Sequence, residues 1–205
     1  MNIKLFIHQL NRSGIPYVHW KSNSNIDRAI AGVDDLDILT LISEKKRISE
    51  FFKKNRIFRG YSYKDGWQNN IYHYYAIDEK RKELIHIHIH FGLTLGFDFD
   101  KRYTLPFNRF YLDDPTIYKG LNLPSVEKEY IVLIIRILLK NSLETYLLSP
   151  HLFIKKIISN KIIDKGHYHE FNDLKTKVNY IKLKNTFKKL DILNLNLFLK
   201  MESSI

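Results

Sequence analysis

Cysteine is absent from this 205-residue chain. Disulfides and thiolate metal sites are thereby excluded, so a bound metal must be held by carboxylate, imidazole or water. Long apolar runs are missing too. The N-terminal MNIKLFIHQLNRSG has too short an apolar stretch for a signal peptide, and the most apolar later segment, Tyr130 to Leu139, is interrupted by Arg136. The expectation is a cytoplasmic protein without a membrane span. Neither an internal repeat nor a low-complexity linker is present, and no long region is polar enough to argue disorder. Acidic residues are the scarcer charge, 22 against 33 basic ones, for a net charge of +11. Such a balance attracts polyanions, nucleic acid and nucleotide phosphates among them. The lysines are dispersed rather than clustered, so they read first as a solvated surface, and a nucleic-acid partner is not favoured.

What is present is a chain long enough to bury a proper core. Ile3, Phe6, Ile7 and Leu10 recur at the spacing of one helix face, and Gly14 and Pro16 end that helix. Tyr17 to Trp20 read as a short strand, Ser24 to Ala31 as barely two helical turns capped by Ser24 or Asn25, and Leu36 to Leu41 as a second strand. Ser43 to Asn55 reads as a helix with Ser43 as its N-cap and Ile48, Phe51 and Phe52 inward. Strands are expected over Ile57 to Tyr63 and Asn70 to Ile77, joined at Lys64-Asp65-Gly66, and again from Glu83 to Leu93. Gly92 to Leu123 reads as irregular, a strand or two and a crossing. Ser125 opens a long apolar helix, with further helices over Pro150 to Asn160, Tyr168 to Ile181 and Asn185 to Met201, and His167 and His169 fall in a loop. The fold class is α/β (α+β), a mixed sheet flanked by helices over residues 1–122, followed by a helical domain over 123–205.

Two stretches carry chemistry. In YVHWKSNSNIDRAIAGVDDLDILT, Asp35 and Asp37 stand two apart in a strand, which puts both carboxylates on one face, close enough to share a hard cation. Upstream, Lys21-Ser22-Asn23 makes a polar turn before a helix-like segment whose free N–H groups can receive a phosphate. The other stretch, LIHIHIH, alternates so regularly that a strand is the economical reading, with Ile85, Ile87 and Ile89 on the packed side and His86, His88 and His90 on the other. A neutral imidazole binds transition metals and suits general-base work near neutral pH. The plainer reading is three histidines bonding to ordinary neighbours on a polar strand face. Two or three of them can also begin a zinc site, but nothing elsewhere at metal-motif spacing completes it.

The strand, polar turn and Asp-x-Asp strand together resemble the signature of the polymerase-β-like nucleotidyltransferases. The nearer likeness is to bacterial nucleotidyltransferase-like proteins of surface-polysaccharide gene clusters, where a Trp-Lys-Ser turn precedes Gly-x-x-Asp-x-Asp. Trp20-Lys21-Ser22 and Gly32-Val33-Asp34-Asp35-Leu36-Asp37 fill those places, so the motif resemblance spans about residues 15 to 40. It implies transfer of a nucleoside monophosphate from a nucleoside triphosphate to an unknown hydroxyl acceptor, a sugar in polysaccharide assembly being the nearest suggestion. Asp35 and Asp37 would hold Mg²⁺ or Mn²⁺, and Lys21, Ser22 and Asn23 would cradle phosphates. Arg136 and Lys140, four apart on one helix face, would reach the triphosphate, although a partnered structural Arg136 is the simpler reading. The family usually adds a third carboxylate on a neighbouring strand. No Asp or Glu lies on the histidine face, so either His88 or a neighbour has taken that position or catalysis is lost. Two rivals follow: a non-catalytic binding module of the same fold, or a toxin–antitoxin-type transferase acting on RNA or protein.

Overall fold

The computed structural model describes residues 2–21, 23–61, 70–97, 100–140, 165–190 and 195–203. Within them the chain is mixed α and β and divides into two compact units. One comprises Met1–Thr94 and Tyr103–Pro124, the other Leu95–Arg102 and Ser125–Ile205. The main break follows Pro124, and the segment Leu95–Arg102 belongs to the second unit. Among the described residues no helix is long and apolar enough to cross a membrane.

The first unit is built on a five-stranded sheet. Its strands are β1 (Tyr17–His19), β2 (Leu36–Thr40), β3 (Phe58–Gly60), β4 (Ile71–Asp78) and β5 (Glu83–His90), in the order β1-β2-β5-β4-β3. β4 pairs antiparallel with both β3 and β5, whereas β2 lies parallel to β5, with Asp37 beside His88 and Ile38 beside Ile89. Period two then sorts the side chains. Leu36, Ile38, Ile85, Ile87 and Ile89 join one apolar cluster with helix α1 (Ile3–Arg12) and helix α3 (Lys45–Lys54), through Phe6, Leu10, Ile48 and Phe52. Asn2 caps α1 by accepting from the Leu5 N–H at 2.9 Å, and Phe52 meets Tyr74 of β4 edge-on at 4.2 Å. Filling one face with isoleucine and phenylalanine leaves the other for polar groups.

Several local expectations are corrected. The strand that carries Tyr17 stops at His19, and a 3₁₀ turn, Asn23–Asn25, precedes the five-residue helix α2 (Ile26–Ile30). Asn25 stands at its N-cap without a side-chain bond. Ser43 is not the cap of α3. It lies inside a 3₁₀ turn, Ile42–Glu44, whose Glu44 N–H bonds to the Leu41 carbonyl at 3.0 Å. The stretch read as irregular holds β6 (Leu93–Phe97), β7 (Asp100–Leu105), helix α4 (Asn108–Leu112), β8 (Thr116–Tyr118) and β9 (Leu121–Leu123), with β6–β7 and β8–β9 forming two-stranded sheets. Its Gly, Asp and Pro punctuation marks tight turns between short strands. The expected turn Lys64-Asp65-Gly66 and the helix over Pro150 to Asn160 lie outside the described residues.

In the second unit, helix α5 (Val126–Lys140) is buried over most of its first three turns. Helices Lys165–Lys177, Tyr180–Leu190 and Leu195–Ser203 follow it. His167 and His169 are therefore helical, not in a loop. The expected helix from Tyr168 to Ile181 is cut at Asn179, whose side-chain oxygen accepts from the N–H groups of Ile181 and Lys182 at 3.0 and 3.1 Å and so starts a new helix. Tyr130 of α5 donates to the buried Glu202 at 2.6 Å.

Candidate functional site: a carboxylate and histidine face

The polar side of the first unit's sheet gathers Asp35 and Asp37 with four histidines. Because β2 and β5 run parallel with Asp37 level with His88, the two carboxylates lie along the histidine row. His86 Nδ1 sits 3.0 Å from Asp35 Oδ1. His88 Nδ1 and His90 Nε2 lie 3.1 and 3.0 Å from Asp37 Oδ1. An ionised carboxylate only accepts, so each facing ring nitrogen carries the proton. The tautomers follow: Nδ1–H on His86 and His88, Nε2–H on His90.

Charge states agree with that assignment. Burial pushes the Asp37 carboxyl up, but the bonds from His88 and His90 and the positive charge of Lys21 outweigh it and hold the group well below the usual carboxylate range. The bond from His86 similarly keeps Asp35 low, opposed by burial and by the neighbouring Asp37 charge. His90 is 2 % exposed, and burial together with Lys21 pushes its imidazole down to about 3. A neutral His90 therefore acts on Asp37 through its N–H and not as a cation. Two ionised carboxylates raise each other's cost, a repulsion that a bound cation relieves.

The turn after β1 lies beside them. The Trp20 N–H donates to the Asp37 carbonyl at 2.9 Å, which extends the β1–β2 pairing by one bond and fixes where the turn begins. Trp20 is 1 % exposed and meets Tyr111 and His90 edge-on at 5.7 and 6.0 Å. Lys21 has φ of +73°, the left-handed region that ordinarily favours glycine. Such backbone strain clusters at functional turns. Asn23 Oδ1 lies 2.6 Å from Nδ1 of the buried His19. Ser22 lies outside the described residues.

Buried polar atoms without a partner collect around this face. Among the described residues they include His19 Nε2, Trp20 Nε1, Asn23 Nδ2, His88 Nε2 and His90 Nδ1. Each such atom ordinarily costs about 1–3 kcal/mol, so a cluster of them marks a place where another group belongs.

Sequence reasoning brought Asp35, Asp37, Lys21, Asn23 and His88 to one region, and in the structure they share one unit. It missed His73 and His19. His73 lies opposite His88 across the β4–β5 pairing, with its Nδ1 at 3.2 Å from His86 Nε2. Tyr75, two residues on, stacks on His86 with ring centroids 4.5 Å apart. The available signal was the alternation in IYHYYAID, which sets His73 and Tyr75 on one strand face.

Arg136 and Lys140 belong to the second unit. The Arg136 guanidinium donates to Glu170 at 2.6 Å, with both side chains about a tenth exposed. The cation that the sequence offered to a triphosphate is thus already bound to a carboxylate of its own unit. No known protein family, curated protein or solved structure matches this chain.

Proposed function

We propose that this chain is a metal-dependent nucleotidyltransferase of the polymerase-β-like kind, which moves a nucleoside monophosphate from a nucleoside triphosphate to a hydroxyl acceptor. The observation that carries this reading is the meeting of Asp35, Asp37 and His88 on one sheet face, with the Lys21 charge acting on Asp37. Asp35 and Asp37 would hold Mg²⁺ or Mn²⁺, and a divalent ion supplies charge neutralisation for an in-line displacement at phosphorus. Two ionised carboxylates fit such an ion in donor type. Lys21, whose charge acts on Asp37, and the turn around it would receive the phosphates. Asp37 fixes the Nδ1–H tautomer of His88 and leaves the Nε2 lone pair as the base. That nitrogen takes the acceptor's O–H proton as its oxygen bonds to the α-phosphorus and the bond to pyrophosphate breaks. The acceptor is a hydroxyl compound, and a sugar of polysaccharide assembly is the first to test.

A second reading, a non-catalytic module of the same fold, is favoured by one specific observation. Oδ1 of Asp35 and Oδ1 of Asp37 already accept from His86, His88 and His90. Calorimetry of the whole chain with Mg²⁺ or Mn²⁺ and each nucleoside triphosphate tests both readings. Nucleotidyl transfer requires metal-dependent triphosphate binding that disappears in Asp35→Asn/Asp37→Asn, and pyrophosphate release with an acceptor panel that His88→Ala reduces by about 10²- to 10⁴-fold. Unchanged binding in the double variant rejects the carboxylates as metal ligands. Binding without turnover moves the conclusion to the module.

A further inference from the structure

We propose that His73, His86 and His88 form a binding site for one divalent transition ion of the zinc class, in which Asp35 and Asp37 orient the imidazoles and do not ligate the ion. This inference shares a face with the nucleotidyl-transfer reading and stands without it.

Three observations carry it. One ring nitrogen from each of the three histidines lies within 4.8 Å of the other two. Their rings are neighbours: centroids are 4.6 Å apart for His73 and His88, 4.2 Å for His86 and His88, and 5.4 Å for His73 and His86. The closest nitrogen pair, His73 Nδ1 and His86 Nε2, is 3.2 Å apart. Tetrahedral Zn–N bonds of about 2.05 Å put neighbouring ligand nitrogens about 3.3 Å apart, so this pair stands at the separation an ion requires. The same distance serves an N–H···N bond when His73 carries its proton at Nδ1.

The second observation is the direction of the lone pairs. Metal-bound histidines usually give their other ring N–H to a carboxylate, which sets the tautomer and raises ligand basicity. His86 does this to Asp35 and His88 to Asp37, each through Nδ1, at 3.0 and 3.1 Å. Nε2 of each ring is thereby an acceptor. His86 Nε2 turns toward His73, and His88 Nε2 is buried with no hydrogen-bond partner among the described residues.

The third is donor chemistry and access. Imidazole nitrogens suit zinc, iron, nickel and copper, whereas Mg²⁺ prefers oxygen. No cysteine elsewhere in the chain competes for such an ion. His86 and His88 keep 26 % and 19 % of their side chains exposed, while His88 Nε2 itself is buried. Asp35 Oδ2 lies 3.8 Å from His88 Nε2, beyond hydrogen-bonding distance. A different grouping, Asp37 with His88 and His90, is less open because His90 is 2 % exposed and commits Nε2 to Asp37. An ion on His88 Nε2 and a proton there exclude each other, so the zinc-bound chain cannot use His88 as a base.

The test uses the full chain, stripped of metal with a chelator and titrated without nucleotide. Zn²⁺ alone, measured by calorimetry and by competition with a chromophoric chelator, is expected to bind at one per chain. X-ray absorption of the Zn²⁺-loaded wild type is expected to show three imidazoles at about 2.0–2.1 Å. His73→Gln should weaken Zn²⁺ by more than the roughly 100-fold that loss of an outer-shell partner costs, while Mg²⁺-dependent triphosphate binding stays as in wild type. Asp35→Asn/Asp37→Asn should keep one Zn²⁺ with affinity about 10- to 100-fold lower. The proposal is overturned by fewer than three imidazoles in the absorption spectrum, by unchanged Zn²⁺ affinity in His73→Gln, or by complete loss of Zn²⁺ in the carboxylate variant. The absorption measurement needs no variant, so a misfolded His73→Gln does not protect the proposal. Triphosphate binding with Mg²⁺ is read separately, so failure of the zinc site and failure of nucleotidyl transfer are different results.

Discussion

Replacing Asp37 by leucine or by asparagine separates what the carboxylate does for the fold from what it does for a ligand. Its Oδ1 accepts from both His88 and His90. In Asp37→Leu the His90 Nε2–H loses its acceptor at a position 2 % exposed, on a ring whose Nδ1 already lacks a hydrogen-bond partner. A buried donor stranded in this way costs about 1–3 kcal/mol. His88, at 19 % exposure, can turn part of its ring to water, so its loss adds at most about 1 kcal/mol. Relief of the carboxylate's own desolvation offsets some of this, which leaves a net destabilisation of about 1–3 kcal/mol. Asp37→Asn keeps an oxygen where Oδ1 stands and loses only the charge assistance, so about 1 kcal/mol is expected. Urea unfolding at neutral pH in a Trp67→Phe background, followed by the fluorescence of Trp20 beside His90, measures both. A slope of about 2 kcal/mol per molar would put the leucine variant's midpoint roughly 1 M lower. Equal stability of the leucine variant and wild type would refute the claim that Asp37 satisfies the buried His90. Retained Mg²⁺ and triphosphate binding in the asparagine variant would refute its role toward a cation.

Two further outcomes are expected. Arg136→Met should destabilise the helical unit by about 3 kcal/mol because Glu170 loses its guanidinium partner, and adding Glu170→Leu should recover most of it; additive losses in that double-mutant cycle would show the pair to be uncoupled. Burial raises the Tyr17 hydroxyl to about 12 against an ordinary value of 10.0. The folded state therefore holds its proton where the unfolded chain has released it, so the stabilising contribution is complete below pH 10 and is lost as pH rises through 12. Urea unfolding at pH 9 and pH 11.5 should show a steeper loss in wild type than in Tyr17→Phe.

The sequence by itself determined the elements whose periodicity is strong. Ile3, Phe6, Ile7 and Leu10 had to form a helix face, and LIHIHIH had to form a strand with isoleucine and histidine on opposite sides, because side-chain direction there follows from backbone repeat alone. Asp35 and Asp37 shared a face for the same reason. Local signals were weaker where several turn chemistries compete, so the 3₁₀ turn before α3 and the short hairpins between Gly92 and Leu123 were not legible. Asn179, by contrast, carried a readable capping signal that helical periodicity overrode. Only tertiary structure decided which strands are neighbours. Parallel pairing of β2 with β5 set Asp37 level with His88, and antiparallel pairing of β4 with β5 brought His73 from 13 residues upstream to the nitrogen of His86. Register between strands is fixed by core packing and by hydrogen bonds distant in sequence, which no local spacing records. That is why two carboxylates and three histidines could be read as candidates from the chain, while the register that brings His73 to His86 could not.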